Sequence, residues 1–236
     1  MATSTTAAKT FYDNAYPEQR AQRHYPNEEM IRFLGSTFSH ISKEKRKNIH
    51  VLDVGCGNGA NLWVWAKEGF TAHGIELSDK GVELCREKMD SWNLKASVCQ
   101  GDMTQMDYPD SSMDVIIDVF SACCLDEEGF GKFLAEVKRI LKSGGKFFSF
   151  QPSKNSYAYI DYAPAKKIDS STLKNMLRDT SPFPGLEHPI RFHYPQEYVQ
   201  WLEKYDLKTT RIEKVSRTYR RMVEYLEFLS VVAEKS

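Results

Sequence analysis

One stretch constrains this chain more than any other. The apolar run from Ile49 to Val54 ends in Gly55-Cys56-Gly57-Asn58-Gly59, and a segment with Leu62, Trp63, Trp65, Ala66 and Phe70 as its apolar members follows. The run reads as a short buried strand and the segment as an amphipathic helix, so the glycines mark a tight strand-to-helix turn. Such a turn lets a ligand approach bare backbone at the carboxyl end of a parallel strand. Gly55-x-Gly57-x-x-Ala60 also satisfies the dinucleotide fingerprint in its G/A form. That fingerprint places a pyrophosphate on a helix N-terminus, where unpaired N–H groups and the dipole favour an anion. Here Asp53 stands two residues before the first glycine. A fixed carboxylate at that mouth opposes a diphosphate and suits a cation.

The string Asp53-Val54-Gly55-Cys56-Gly57-Asn58-Gly59 resembles the first motif of class I S-adenosylmethionine-dependent methyltransferases. Their methyl donor carries a sulfonium, an ammonium and no phosphate. A second strand, Phe70 to Ile75, leads into Glu76 and Leu77, about 20 residues beyond Gly55, where an acid meets a ribose hydroxyl. Taken alone, Glu76 fits a nicotinamide dinucleotide equally well. A third strand, Ala96 to Gln100, leads into Gly101-Asp102-Met103. The resemblance implies that Asp102 accepts from the adenine amino group and that Met103 lies along the purine. It also implies a cofactor set of Asp53, Gly55, Cys56, Gly57, Asn58, Glu76, Leu77, Asp102, Met103, Phe120 and Tyr25, with S-adenosylhomocysteine as product.

The rest of the chain agrees with one α/β domain. Asn27 reads as the N-cap of a helix with Glu28 and Glu29 in its first turn and Met30, Ile31, Leu34 and Phe38 on its apolar face. Lys43 to Lys47 reads as a solvated connection. Ser78 opens a helix to about Trp92, with Val82, Leu84, Cys85 and Met89 inward. Met113 to Phe120 reads as a central fourth strand, Asp126 as the start of a helix, and Lys146 to Phe150 as a fifth strand. Strands alternating with helices from about 49 to 150 imply parallel βαβ units. Arg139-Ile140-Leu141-Lys142-Ser143-Gly144-Gly145-Lys146-Phe147 resembles the family's late motif. A helix at Pro195 to Tyr205 and strands at about Leu207–Thr218 and Tyr225–Ala233 resemble its closing hairpin. The expected fold is a doubly wound, mostly parallel seven-stranded sheet with helices on both faces and a C-terminal antiparallel hairpin. Residues 1–48 are expected to form an arm and helix covering the site, with the first ten or so residues disordered. Residues 49–236 then form the methyltransferase domain, with 151–195 as a cap insertion over the substrate pocket and a polar helix-like piece near 170–179.

Lys plus Arg equals Asp plus Glu at 32 each, so nothing in the net charge draws the chain to nucleic acid or an anionic membrane. Five cysteines, at 56, 85, 99, 123 and 124, read as reduced thiols of a cytoplasmic protein rather than a disulfide frame. No Cys/His spacing suggests a metal site, and no apolar stretch is long enough to span a membrane. The expected partner is a small-molecule acceptor, methylated on oxygen or nitrogen, bound by a monomer or homodimer. A protein or RNA methyltransferase, or a non-catalytic scaffold of the same fold, is the alternative. Candidates for the acceptor are Tyr16, Tyr157, Tyr159 and Arg191, with His193 as a candidate general base. Cys123 and Cys124, after the fourth strand, read as small core fillers or as lining of the methyl site.

Overall fold

The computed structural model describes residues 4–18, 21–176 and 188–236. Strand β1 (His50–Val54) is an interior strand of a seven-stranded sheet. Its parallel neighbours are β2 (Thr71–Glu76), which carries β3 (Ala96–Gln100) outside it, and β4 (Met113–Val119). Parallel β5 (Leu141–Pro152) follows β4, and the antiparallel pair β10 (Glu224–Lys235) and β9 (Leu207–Tyr219) closes the sheet. The order is β3-β2-β1-β4-β5-β10-β9, so the direction of winding reverses between β1 and β4. The carboxyl ends of those two strands therefore frame the crevice where open α/β sheets take ligands.

Side chains alternate across the pleat and fill two cores. One holds α2 (Glu28–Phe38), α4 (Leu62–Lys67) and α5 (Asp79–Ser91), with Phe33 stacked on Phe148 at 5.1 Å and Trp65 fully buried. The other holds α6 (Glu127–Ile140) and α8 (Pro195–Lys204), which press Phe130, Phe133, Leu134, Val137 and Tyr198 onto the sheet. Caps fix where the helices begin. Asn27 accepts from the Met30 N–H at 3.0 Å, Ser78 from Gly81 at 3.2 Å and Asp126 from Gly129 at 2.9 Å.

Several expectations change. In α2 the buried partner of Met30 is Phe33, at the i+3 position, while Ile31 is exposed. Lys43–Arg46 forms a short helix, α3, and Arg46 is buried because it donates to the carbonyls of Phe38 and Ile41 and to Glu68. Ser4–Ala15 is a helix, α1, held to the N-terminus of α5 by Asp13, which accepts from the Ser78 hydroxyl at 2.6 Å. The described residues between 153 and 194 contain one turn of helix, α7 (Tyr157–Ile160), and a separate three-stranded sheet of β6 (Lys166–Lys167), β7 (Thr172–Lys174) and β8 (Ile190–Arg191). The helical piece expected near 170–179 is a strand at Thr172–Lys174, and its last residues lie outside the described ones.

Candidate active site

The loop after β1 turns because Gly55 and Gly57 adopt φ of +65° and +55°. A Cβ at Gly55 would stand 2.4 Å from the Ser121 Oγ, and one at Gly57 would stand 2.8 Å from the Tyr16 hydroxyl. The N–H groups of its glycines and of Cys56 are already engaged. The N–H groups of Gly55 and Cys56 donate to the Ile75 carbonyl at 2.8 and 3.1 Å, Gly59 donates to Cys56 at 2.9 Å, and Gly57 donates to Glu76 Oε2 at 3.0 Å. A pyrophosphate needs such groups free. This loop offers a shaped wall instead.

A cavity of about 520 Å³ opens above it. Glu76, Leu77, Asp102, Met103 and Phe120 line one end, together with Gly55, Cys56, Gly57 and Asn58. Glu76 is buried, and its second oxygen accepts from Ser78 N at 2.9 Å, so both oxygens are fixed while each keeps a lone pair for a ligand. Burial raises its pKa, and the backbone donors at Ser78 and Gly57 pull it back. Asp102 folds into an Asx turn, with Oδ1 accepting from the N–H and hydroxyl of Thr104, both at 2.8 Å. Among the described residues Arg23 is the cavity's one cationic lining group, and its guanidinium lies 5.8 Å from the Phe120 ring.

The N-terminal segment roofs the cavity. Tyr16, Arg23 and Tyr25 cover the glycine loop, and Thr5, Ala8, Phe11 and Tyr12 of α1 cover the far end. Two side chains latch this roof to the loop. Asn58 Oδ1 accepts from Arg23 N at 3.2 Å, and Asn61 Oδ1 accepts from Asn27 N at 2.9 Å. Beside α1, the cavity is also lined by Cys123, Cys124, Leu125 and Ile190.

Asp53 does not line the cavity. It lies beneath the loop, 1% exposed, with one carboxylate oxygen lacking a partner. Burial pushes its carboxyl well above the ordinary range, and the charges of Asp118 and Glu76 add to this. The acids that do line the cavity are Glu76 and Asp102. Asp118, which the sequence reading passed over, organises the turn after β4. It accepts from Ser121 N at 3.1 Å, Ala122 N at 2.9 Å and the Ser149 hydroxyl at 3.1 Å, and also from the Gln151 amide. Its desolvation raises the carboxyl to about 6. The turn puts Phe120 at a φ of +60° and sets Ser121 against Gly55, where its hydroxyl donates to the Gly55 carbonyl at 3.2 Å. The one sequence signal for Asp118 is an acid inside an otherwise apolar strand.

The acceptor candidates scatter. Tyr16 lines the cavity, but beside Gly57 rather than at the far end. Tyr157 is half exposed against Tyr225, and the Tyr159 hydroxyl donates to the Ser170 carbonyl at 2.7 Å; neither reaches the cavity. Arg191 is a buried strut pairing with Asp169 at 3.3 Å and Glu127 at 3.7 Å and lying over Phe130 and Trp201. His193 is packed between Phe130 and Tyr198 and lies outside the cavity. Its pKa is held well below the ordinary range by burial, then by the charges of Arg191 and Lys154, so it is a neutral core residue rather than a base facing substrate.

This sheet order, this crevice and this loop define the Rossmann-like methyltransferase fold. Residues 51–145 match a family model described as a methyltransferase domain. Over these residues the chain is similar to the class I S-adenosylmethionine-dependent methyltransferases. It is similar to sterol 4-C-methyltransferase strm-1 of Caenorhabditis elegans, 27% identical over 79% of this chain and 53% of that one. It is also similar to a fatty-acid O-methyltransferase of Mycolicibacterium smegmatis, 31% identical over 51% of this chain and 42% of that one. The chain spans about half the length of these curated relatives. Among solved structures it superposes on the 1,6-didemethyltoxoflavin-N1-methyltransferase of Burkholderia thailandensis, crystallised with S-adenosylhomocysteine, with a TM-score of 0.67 and 13% identity, over 98% of this chain and 88% of that one. The family's cofactor is S-adenosylmethionine, and the site fits it: acids at Glu76 and Asp102, spent loop donors and a single cation suit a phosphate-free cation.

Proposed function

We propose that the chain transfers a methyl group from S-adenosylmethionine to an oxygen or nitrogen of a small, largely apolar acceptor. The observation that carries this reading is the shape and lining of the cavity. One end presents Glu76 and Asp102, and the other is an apolar chamber of Ala8, Phe11, Leu125 and Ile190 closed over by α1. A chamber roofed this way takes a small molecule more readily than a folded protein or an RNA, which need an exposed groove with a basic rim. The apolar character agrees with relatives named for sterol and fatty-acid acceptors.

When bound, S-adenosylmethionine supplies an activated methyl group with a good leaving group. The chain's own contribution is placement. Glu76 holds the ribose hydroxyls, Asp102 the adenine amino group and Met103 the purine face. The turn fixed by Asp118 places Phe120 and Ser121 at the methionine end, and α1 keeps water from the methyl. Holding the reacting atoms in line supplies much of the barrier reduction such a displacement needs. The likeness to a sterol 4-C-methyltransferase favours a second reading in which carbon is the acceptor.

Two assays test the proposal together. Thermal unfolding is followed with S-adenosylmethionine, S-adenosylhomocysteine, NAD and NADP. Radiolabelled methyl transfer is then followed into cholesterol, palmitic acid and a heteroaromatic amine, with total protein and tRNA in parallel. A shift with the adenosyl ligands alone, and label in an organic-soluble product, are expected. Label only in protein or RNA would reject the small acceptor, and no shift with the adenosyl ligands would leave a scaffold.

A further inference from the structure

The even net charge conceals a local imbalance. Residues 217–223 hold Arg217, Arg220 and Arg221 and no acid. They end the hairpin of β9 and β10, where Tyr219 pairs with Glu224 across the turn Arg220-Arg221-Met222-Val223. Arg220, Arg221 and Met222 adopt φ of +50°, +56° and +70°, the left-handed backbone that hairpin turns usually give to glycine or asparagine. This turn instead displays two guanidinium groups and two apolar side chains, with Met222 78% and Val223 60% exposed. Glu224, the next acid along the chain, is buried.

The turn lies at the edge of the sheet that carries the cavity. Strand β10 runs antiparallel to β5, so the turn stands beyond the carboxyl ends of the parallel strands. Strand β5 pairs with β10 only as far as Pro152, opposite Phe228, and residues 224–227 carry the turn about 13 Å further. Arg217 pairs with Glu28, which follows Tyr25, Pro26 and Asn27 of the cavity lining. The patch continues onto α7, held here by the Ser156 hydroxyl, which donates to the Glu227 carbonyl at 3.0 Å. The ring of Tyr157 lies 5.5 Å from that of Tyr225, and Ile160, about one turn on, is 63% exposed.

We propose that this hairpin tip is a docking surface for an anionic lipid bilayer, with its guanidinium groups on headgroup phosphates and Met222 and Val223 in the acyl boundary. Each part of the tip matches one layer of that partner. Charge alone would suit nucleic acid equally, but phosphate contacts give no reason to hold two apolar side chains at the outermost point of the turn. An interfacial segment needs both: basic groups for the headgroups and apolar groups to bury beneath them. Docking there turns the Tyr25 side of the cavity towards the bilayer, and an apolar acceptor reaches the chamber without crossing water. The docking rests on the surface alone; that use of it rests on the methyltransferase reading.

The test is sedimentation of the full chain with phosphatidylcholine vesicles, with and without phosphatidylserine, at about 0.1 M and about 0.5 M salt. Binding to the phosphatidylserine vesicles is expected to exceed binding to phosphatidylcholine alone about tenfold and to weaken at the higher salt. Arg220→Glu with Arg221→Glu, and separately Met222→Ser with Val223→Ser, are each expected to cut it about tenfold. All four residues are exposed, so circular dichroism and the thermal shift with S-adenosylhomocysteine are expected to match the wild type. Binding unchanged in both double variants, binding lost in the arginine variant but kept in the Met222 and Val223 variant, or no sedimentation with either vesicle would overturn the proposal. Retention of tRNA in place of vesicles would overturn it too. A thermal shift with S-adenosylhomocysteine in a chain that ignores vesicles rejects the surface and leaves the methyltransferase standing; vesicle binding without that shift does the reverse.

Discussion

Asp118→Asn is the substitution whose consequence can be worked furthest. Asp118 is fully buried between β1 and β5, and its carboxyl titrates at about 6 against an ordinary 3.8. The folded state therefore binds this proton more tightly than the unfolded state does. The stability it contributes is fully present below about 3.8 and is lost as pH rises through about 6. At about 1.4 kcal/mol per tenfold in proton affinity, the loss is on the order of 3 kcal/mol. Asparagine keeps the shape without the charge. Its oxygen still accepts from Ser121 and Ala122, and its NH₂ meets Gln151, whose own Oε1 is buried without a partner and turns to receive it. The assay is urea unfolding of both proteins at pH 4, 5, 6 and 7. The variant is expected to gain on the wild type by about 2 kcal/mol between the ends of that range, since part of the change lies below pH 4. A difference that stays flat with pH would refute the reasoning, because Asp118 would then be ionised throughout.

Other outcomes follow from the same geometry. Glu76→Gln is expected to weaken S-adenosylhomocysteine binding by about 1–3 kcal/mol through lost charge-assisted hydrogen bonds, read by calorimetry; unchanged affinity would remove Glu76 from the ribose role. Gly57→Ala is expected to cost about 1–2 kcal/mol from its left-handed backbone alone. It also drives Tyr16 from the cavity wall, so the double variant with Tyr16→Phe should recover part of the lost binding, since the 2.8 Å contact is with the hydroxyl. His193 is buried neutral with its pKa depressed, so its contribution is present above about 6.5 and is lost as pH falls below that value. His193→Phe is expected to make unfolding less acid-sensitive in that window and to leave S-adenosylhomocysteine binding intact by calorimetry.

Much of the fold was legible because local patterns and tertiary packing agree. Strand β3 begins and ends where the alternation does, at Ala96 and Gln100, and α6 follows an unbroken i, i+3, i+4, i+7 series from Phe130. That the glycine loop, Glu76 and Asp102 would meet at one cavity was readable for a related reason: each sits at a fixed offset from a strand end, and the strand end is itself periodic. The small sheet β6-β7-β8 was not, since strands of two or three residues carry no period. Arg191 and His193 look like site residues in a string of letters. Their duller roles depend on Asp169, Glu127 and Phe130, which only the folded chain brings to them. Asp53 misled in the opposite direction, because a pleat turns it under the loop whose mouth it seems to guard. What decides such positions is which side of a strand faces the crevice, and single letters do not encode that.

The latch between the N-terminal segment and the glycine loop has a kinetic consequence. Tyr16, Arg23 and Tyr25 roof the end of the cavity that Glu76 and Asp102 line. The Asn58–Arg23 and Asn61–Asn27 bonds tie this segment to the loop as a strap. Release of bound S-adenosylhomocysteine, followed by stopped flow, is expected to quicken when this strap is weakened. Weakening the strap by Asn58→Ala would speed turnover in an enzyme limited by release, even as it lowered affinity.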